Sequence, residues 1–147
     1  MKFREIKENK KQFLSLLLLA DEQENMIDRY LEKGTMYVLD DNGVKAECVV
    51  TDEGDGILEI KNIATVPEYQ GKGYAKNLID FIVKEYADKY SVLQVGTGDS
   101  PLTVPFYEKC GFVRSHIIPN FFTNNYDHPI FECGVKLTDM VIFQRNL

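Results

Sequence analysis

Two glycines stand directly ahead of a helix-like run in PEYQGKGYAKNLIDFI, residues 67–82. Glycine at a helix start costs backbone entropy, so Gly71 and Gly73 ask for a reason. One reading is a plain strand-to-helix turn, which glycine pairs commonly make. The other is an anion cradle. The first amides of a helix have no internal partners, and the helix end carries a partial positive charge. Missing side chains then let a phosphate reach those amides. Spacing sorts the phosphate-binding loops from one another. A Walker loop needs Gly-Lys-Ser/Thr, which Gly71-Lys72-Gly73 does not supply. A dinucleotide loop follows the first strand of a doubly wound sheet and needs a third glycine, where this chain has Lys76.

Composition narrows the partners. The chain has 147 residues, enough for one domain with its own core. Its formal net charge of −6 disfavours a generic nucleic-acid surface, which needs a basic excess. Three cysteines, Cys48, Cys110 and Cys133, are odd in number and form no CxxC pair. They read as reduced thiols of a cytoplasmic protein, not as a disulfide framework or a zinc site. His116 and His128 have no metal-ligand company, so no metal site is expected. The longest apolar run, FLSLLLLA at 13–20, is far short of the roughly 20 residues that cross a bilayer. No signal-peptide pattern is present, and no membrane partner is expected.

The elements that would hold the glycine loop follow from periodicity. A first strand lies in MKFREIKE. Asn9 is placed as a cap before an apolar helix, and a second helix carries Met26, Ile27, Tyr30 and Leu31, closed by Gly34. TMYVLDD and VKAECVVTDE flank Asn42-Gly43, a hairpin signal. A strand at 57–66 alternates, so Glu59, Lys61 and Ile63 would share one face, opposite Leu58, Ile60 and Asn62. Pro67 ends that strand, since it cannot donate to a ladder. Residues 74–90 carry Leu78, Ile79, Ile82, Val83 and Tyr86 at helical spacing. A short strand follows at 92–97, so these three elements make a βαβ unit with parallel strands. LTVPFYEKCG reads as a short helix, and FVRSHII and KLTDMVIFQRN as strands. PNFFTNNYDHPIFECG has no assignment. The expected class is α/β (mixed α+β): a single domain, 1–147, with a mixed sheet of about seven strands and about four helices.

In this order of elements, Gln70-Gly71-Lys72-Gly73-Tyr74-Ala75 resembles the Q/R-x-x-G-x-G/A motif of the GNAT superfamily of N-acetyltransferases. FYEKCGF, residues 106–112, looks like the family's second signature, a Tyr-x-Lys-x-Gly-Phe segment. Two longer segments, VGTGDSPLTVPFYEKCGF and NFFTNNYDHPIFECGVKLTDM, look like the YvbK-like branch from Gram-positive bacteria. The resemblance covers nearly the whole chain. It implies acetyl-CoA as co-substrate, no metal, and a primary amine of a small molecule as acceptor, acetylated by direct transfer in a ternary complex. A sensor or scaffold that binds acyl-CoA without turnover, and a protein or peptide acetyltransferase, are the alternatives.

The same resemblance assigns residues. Backbone of Ile63, Ala64 and Val66 would run along the pantetheine arm and polarise the thioester carbonyl. Gln70, Gly71, Lys72, Gly73, Tyr74 and Ala75 would meet the pyrophosphate. Tyr107 would protonate the departing thiolate, since a phenol of pKa about 10 is still protonated at neutral pH. Ser100 stands where many members have a pantetheine-contacting Asn. An aliphatic amine of pKa about 10.4 is neutral only about once in a few thousand at pH 7, so a base helps. Glu59 sits where histone-acetylating members carry theirs, and reads equally as a strand carboxylate paired with Lys61. Met26, Tyr30, Phe121, Phe122 and Tyr126, with Asn120 and His128, fall where the family forms its acceptor pocket, and they serve equally to pack a long loop. A homodimer through the C-terminal strand is a further expectation.

Overall fold

A computed structural model describes all 147 residues. In chain order the elements are β1 (Lys2–Ile6), α1 (Leu14–Ala20), α2 (Glu24–Ile27), β2 (Thr35–Asp40), β3 (Val44–Gly54), β4 (Ile57–Thr65) and α3 (Tyr74–Tyr86). Then come β5 (Val92–Gly98), α4 (Val104–Lys109), β6 (Val113–Ile118), α5 (Phe121–Asn125), β7 (Phe131–Glu132), β8 (Val135–Lys136) and β9 (Met140–Asn146). Seven strands form one mixed sheet in the order β1-β2-β3-β4-β5-β9-β6. All its neighbours are antiparallel except β4 and β5. The expected mixed sheet is therefore present. The unassigned segment adds a fifth helix and the small β7–β8 hairpin, both too short to leave a periodic signature.

The sheet is covered on both faces, and β2 shows why. Met36 and Val38 pack with Leu17, Ile27 and Leu31 of the α1–α2 side. Tyr37 and Leu39 alternate to the other side, where Leu78, Ile79 and Ile82 of α3 lie. Those three α3 residues are fully buried, and each contributes about 1.5–3 kcal/mol of hydrophobic stabilisation.

Several local expectations are corrected. Asn9 is not a side-chain cap. It takes a left-handed conformation before a short 3-10 turn, Lys10–Phe13. The second helix is a single turn, α2, followed by looser turns to Gly34. Lys10 explains how those turns end. Its buried ammonium donates to the carbonyls of Leu31 (2.9 Å), Glu32 (3.2 Å) and Gly34 (2.7 Å). Gly34 does not adopt a left-handed cap. It is needed because a Cβ there would lie 2.8 Å from both the Tyr30 carbonyl oxygen and Val49 Cγ1.

The face assignment of β4 is also corrected. Val49 pairs with Asn62 but Val50 with Ile60, so Lys61 is an extra residue, a β-bulge. Beyond the bulge the alternation flips. Ile63 joins Leu58 and Ile60 against the α3 core, while Asn62 Nδ2 donates to Leu17 O on the α1 side. The C-terminal strand β9 is not an edge either. It lies between β5 and β6, so β1 and β6 are the free edges.

Lys10→Met should lower stability by about 1–3 kcal/mol, because three carbonyls lose a buried donor. Urea unfolding measures this; an unchanged midpoint would remove Lys10 as the anchor of this segment.

Candidate active site

The parallel partners β4 and β5 are in register only from Ile57–Val92 to Ile60–Val95. Past Ile60, β4 still pairs with β3 on one side, but its other edge has no strand. A cleft of about 750 Å³ opens in that gap. The free backbone groups of β4 and the end of β5 form its walls.

One end of the cleft is the glycine loop. Gly71 and Gly73 have φ of +79° and +88°, which side-chain-bearing residues rarely adopt. A Cβ at either position would meet no protein atom within 4 Å. The protein does not fill the space these glycines leave. No protein oxygen accepts from the amides of residues 71–76, and no side chain caps α3. The loop is nonetheless braced. Gln70 Nε2 donates to Thr65 O at 3.3 Å, and the Tyr74 hydroxyl donates to Asp41 Oδ2 at 2.8 Å. A row of free amides at the positive end of a 13-residue helix fits a pyrophosphate.

Tyr107, from α4, lines the cleft. Its ring packs against Phe106, Phe112 and Phe143. Burial pushes its phenol well above the usual value, so it is a proton donor throughout the neutral range. Cys110 is the one thiol in the lining. Burial raises it too, which keeps it a thiol and a poor nucleophile.

The far end is built by the α1–α2 connection and by the segment from α5 to β9. Asp21, Glu22, Phe122, Tyr126, Ile130 and Glu132 line it. Asp21 accepts from the hydroxyls of Tyr126 at 2.6 Å and Tyr30 at 2.9 Å. Burial raises its carboxyl, against the lowering effect of those two hydrogen bonds. Tyr30 OH in turn accepts from Asn62 Nδ2 at 3.1 Å.

The structure thus gathers Ile63, Ala64, Gln70, Gly71, Gly73, Tyr74, Ala75, Tyr107, Phe122 and Tyr126 around one cavity. It does not bring the other expected residues there. Glu59 is absent from the lining; Lys61 and Gln94 occupy its carboxylate. Glu59 stands in the stretch of β4 that pairs with β5, opposite Gln94, before the gap opens. Val66 donates its amide to Lys45 O at 2.8 Å, away from the free edge. Lys72 stands off the lining, over the Tyr69 ring at 5.4 Å. Ser100 is buried, donating to Glu132 and accepting from Leu102 N at 3.1 Å. Met26 is buried away from the cleft, Phe121 lies behind Phe122, and Tyr30 reaches the site only through Asp21. Sequence reasoning missed Asp21, Asn62 and Glu132. Asp21 did carry a signal: an acidic residue placed immediately after the apolar run LLLLA.

Known proteins share this fold. A profile of the acetyltransferase (GNAT) domain matches residues 32–114. The N-acetyltransferase YvbK of Bacillus subtilis is 35% identical over 137 residues, covering 91% of this chain and 88% of its own. A GNAT family acetyltransferase from Elizabethkingia anophelis, solved with acetyl-CoA bound, superposes with a TM-score of 0.92. It is 32% identical, over 99% of this chain and 97% of that one. A structure named IAA acetyltransferase, from Bacillus cereus, has a TM-score of 0.91 and 35% identity, over 99% of both chains. A matched domain profile and a relative similar over nearly its whole length leave one assignment: the chain belongs to the GNAT family of acetyltransferases.

Proposed function

We propose that the protein transfers the acetyl group of acetyl-CoA to the primary amine of a small molecule, directly, within a ternary complex. One observation carries the reading: a single cleft joins a free amide row at one end to a carboxylate and aromatic pocket at the other, with a buried phenol between. The Elizabethkingia relative binds acetyl-CoA, and YvbK is named an N-acetyltransferase, which supports both halves of the assignment.

In this reading the amides of Gly71 to Ala75 hold the pyrophosphate. The free edge of β4, at Ile63 and Ala64, hydrogen-bonds the pantetheine arm as a strand would, which orients the donor carbonyl toward the acceptor end. Tyr107 gives its proton to the departing sulfur. The raised thiol of Cys110 argues against a covalent acyl-enzyme and for direct attack by the amine. Phe122 and Tyr126 form the acceptor's apolar wall.

Two variants test this. Gly71→Ala with Gly73→Ala should weaken CoA binding at least about tenfold, by straining two left-handed positions and filling phosphate space; calorimetric titration with CoA reads it. Tyr107→Phe should lower kcat roughly a hundredfold with the KM for acetyl-CoA unchanged. Unchanged turnover would rule out the phenol as the acid. The assay follows free thiol release over a panel of amines. IAA is included because the Bacillus cereus relative is named for it, and exclusive use of IAA would displace the amine reading.

A further inference from the structure

We propose that Asp21 receives the acceptor as an ammonium ion and takes its proton, and that the acceptor is a primary alkyl or aralkyl amine with no carboxylate beside the reacting nitrogen. This rests on the acetyl-transfer reading above and identifies its base and its substrate class.

The observations start from charge pairing. Three carboxylates line the acceptor end: Asp21, Glu22 and Glu132. Glu22 is paired with His128 Nε2 at 3.0 Å, and Glu132 takes the Ser100 hydroxyl. Asp21 has no cationic partner within ion-pair distance; its donors are two neutral phenols and the Gln23 backbone amide. These donors fix the carboxylate and leave it a lone pair free. An anion held this way is completed by a cation.

A second observation is independent of it. Asn62, another lining residue, is 3% exposed, and its Oδ1 is buried without a donor. Both oxygens of Glu47 are likewise buried and unpartnered. Glu47 lies opposite Ala64 on β4, two positions along from the Val49–Asn62 pair. Asn62 Oδ1 is the lining acceptor left without a donor; Glu47 lies outside the lining. An ammonium brings three donors, directly or through a bridging water. A carboxylate on the ligand would bring none, and would face Asp21, Glu22 and Glu132. Of the lining cations, Lys61 is taken by Glu59 and Glu53, and Lys76 and Lys109 stand on α3 and α4.

The proton balance is as follows. Asp21 accepts one proton from R–NH3⁺, leaving R–NH2. The amine lone pair forms the C–N bond and the C–S bond breaks. The thiolate takes the proton of Tyr107, and the second proton lost from nitrogen restores that phenol. Asp21 returns its proton to solvent, so the net products are the amide, CoA thiol and H⁺.

The groups facing Asp21 set the pH behaviour. Tyr30 and Arg29 approach from the turn after α2, Tyr126 from the end of α5, and Glu22 with its partner His128 from alongside. Glu47 acts on Tyr30 from β3. The Tyr126 and Tyr30 hydrogen bonds hold the Asp21 carboxyl down against burial. Removing one raises it, and a base with a raised pKa loses activity at a higher pH as acid is added.

The test measures CoA thiol release with n-butylamine, putrescine and benzylamine, against glycine and alanine. The wild type should use the first three and reject the amino acids. Asp21→Asn should lower kcat/KM roughly a hundredfold, with CoA affinity and the unfolding midpoint retained. Tyr126→Phe, which keeps the carboxylate, should move the acid limb of log kcat/KM to higher pH. Full activity in Asp21→Asn, an unmoved acid limb in Tyr126→Phe, or equal use of glycine overturns the inference while acetyl transfer to amines stands. Absence of thiol release by the wild type with every amine overturns the reading beneath it, and this inference with it.

Discussion

Two parallel strands that pair for four residues and then part are the constraint on which the molecule depends. In a closed sheet the edge of β4 would be spent on β5. Here β4 is bulged at Lys61, just where the pairing stops. Across the gap, β5 is drawn toward β9, with which it pairs along its whole length. Met140 and Leu137 lie so close over Gly96 and Gly98 that a Cβ there would approach them within 2.4 and 2.5 Å. The gap that results is the cleft, open along the free edge of β4. The sheet stays whole because β3 keeps β4 in the ladder on one side and β9 keeps β5 on the other.

The two ends of the cleft are made of different material. The donor end is mostly backbone: free amides at α3 and a free strand edge on β4. Backbone groups are fixed by φ and ψ and need no side-chain order to stay in place. Gly71 and Gly73 serve that end by what they lack. The acceptor end is side chains borrowed from three distant parts of the chain, joined by hydrogen bonds between Asp21, Tyr30, Tyr126 and Asn62. Their separation in sequence, 105 residues between Asp21 and Tyr126, means that only the assembled fold creates the pocket.

That difference explains what was legible in the sequence. The glycine loop, the strand before it, α3 and Tyr107 were readable, because a local pattern of residue types imposes their geometry. Leu78, Ile79 and Ile82 fall at helical spacing and are buried against the sheet as that spacing requires. The expected shared face of Glu59 and Ile63 failed for a physical reason. Strand alternation assumes an unbroken pleat, and one inserted residue, Lys61, reverses it; nothing in ILEIKNIATV announces the insertion. The C-terminal strand was expected at an edge, but β6 is the strand that ends outside it. The segment after β6 resisted assignment because α5 and the β7–β8 hairpin are held by tertiary contacts of Phe122, Ile130 and Leu137 and not by periodicity. Asp21 was overlooked because a carboxylate after a helix reads as solvent-facing. Only the approach of two tyrosines makes it something else.

Glu47 and Asp21 then form an instructive contrast. Burial acts on both carboxyls in the same direction. For Glu47 nothing opposes it: neither oxygen has a partner, so the neutral acid is favoured far above the usual carboxylate range. For Asp21 two phenolic donors stabilise the charged form and offset part of the burial. Both carboxyls are thereby raised, Glu47 far more than Asp21, and only Asp21 has donors that stabilise its charged form. A carboxyl buried without a partner costs stability that an apolar residue on β3 would not. Such a cost is tolerated where it shapes a site, and a neutral Glu47 adds no further negative charge to an end already lined by Asp21, Glu22 and Glu132.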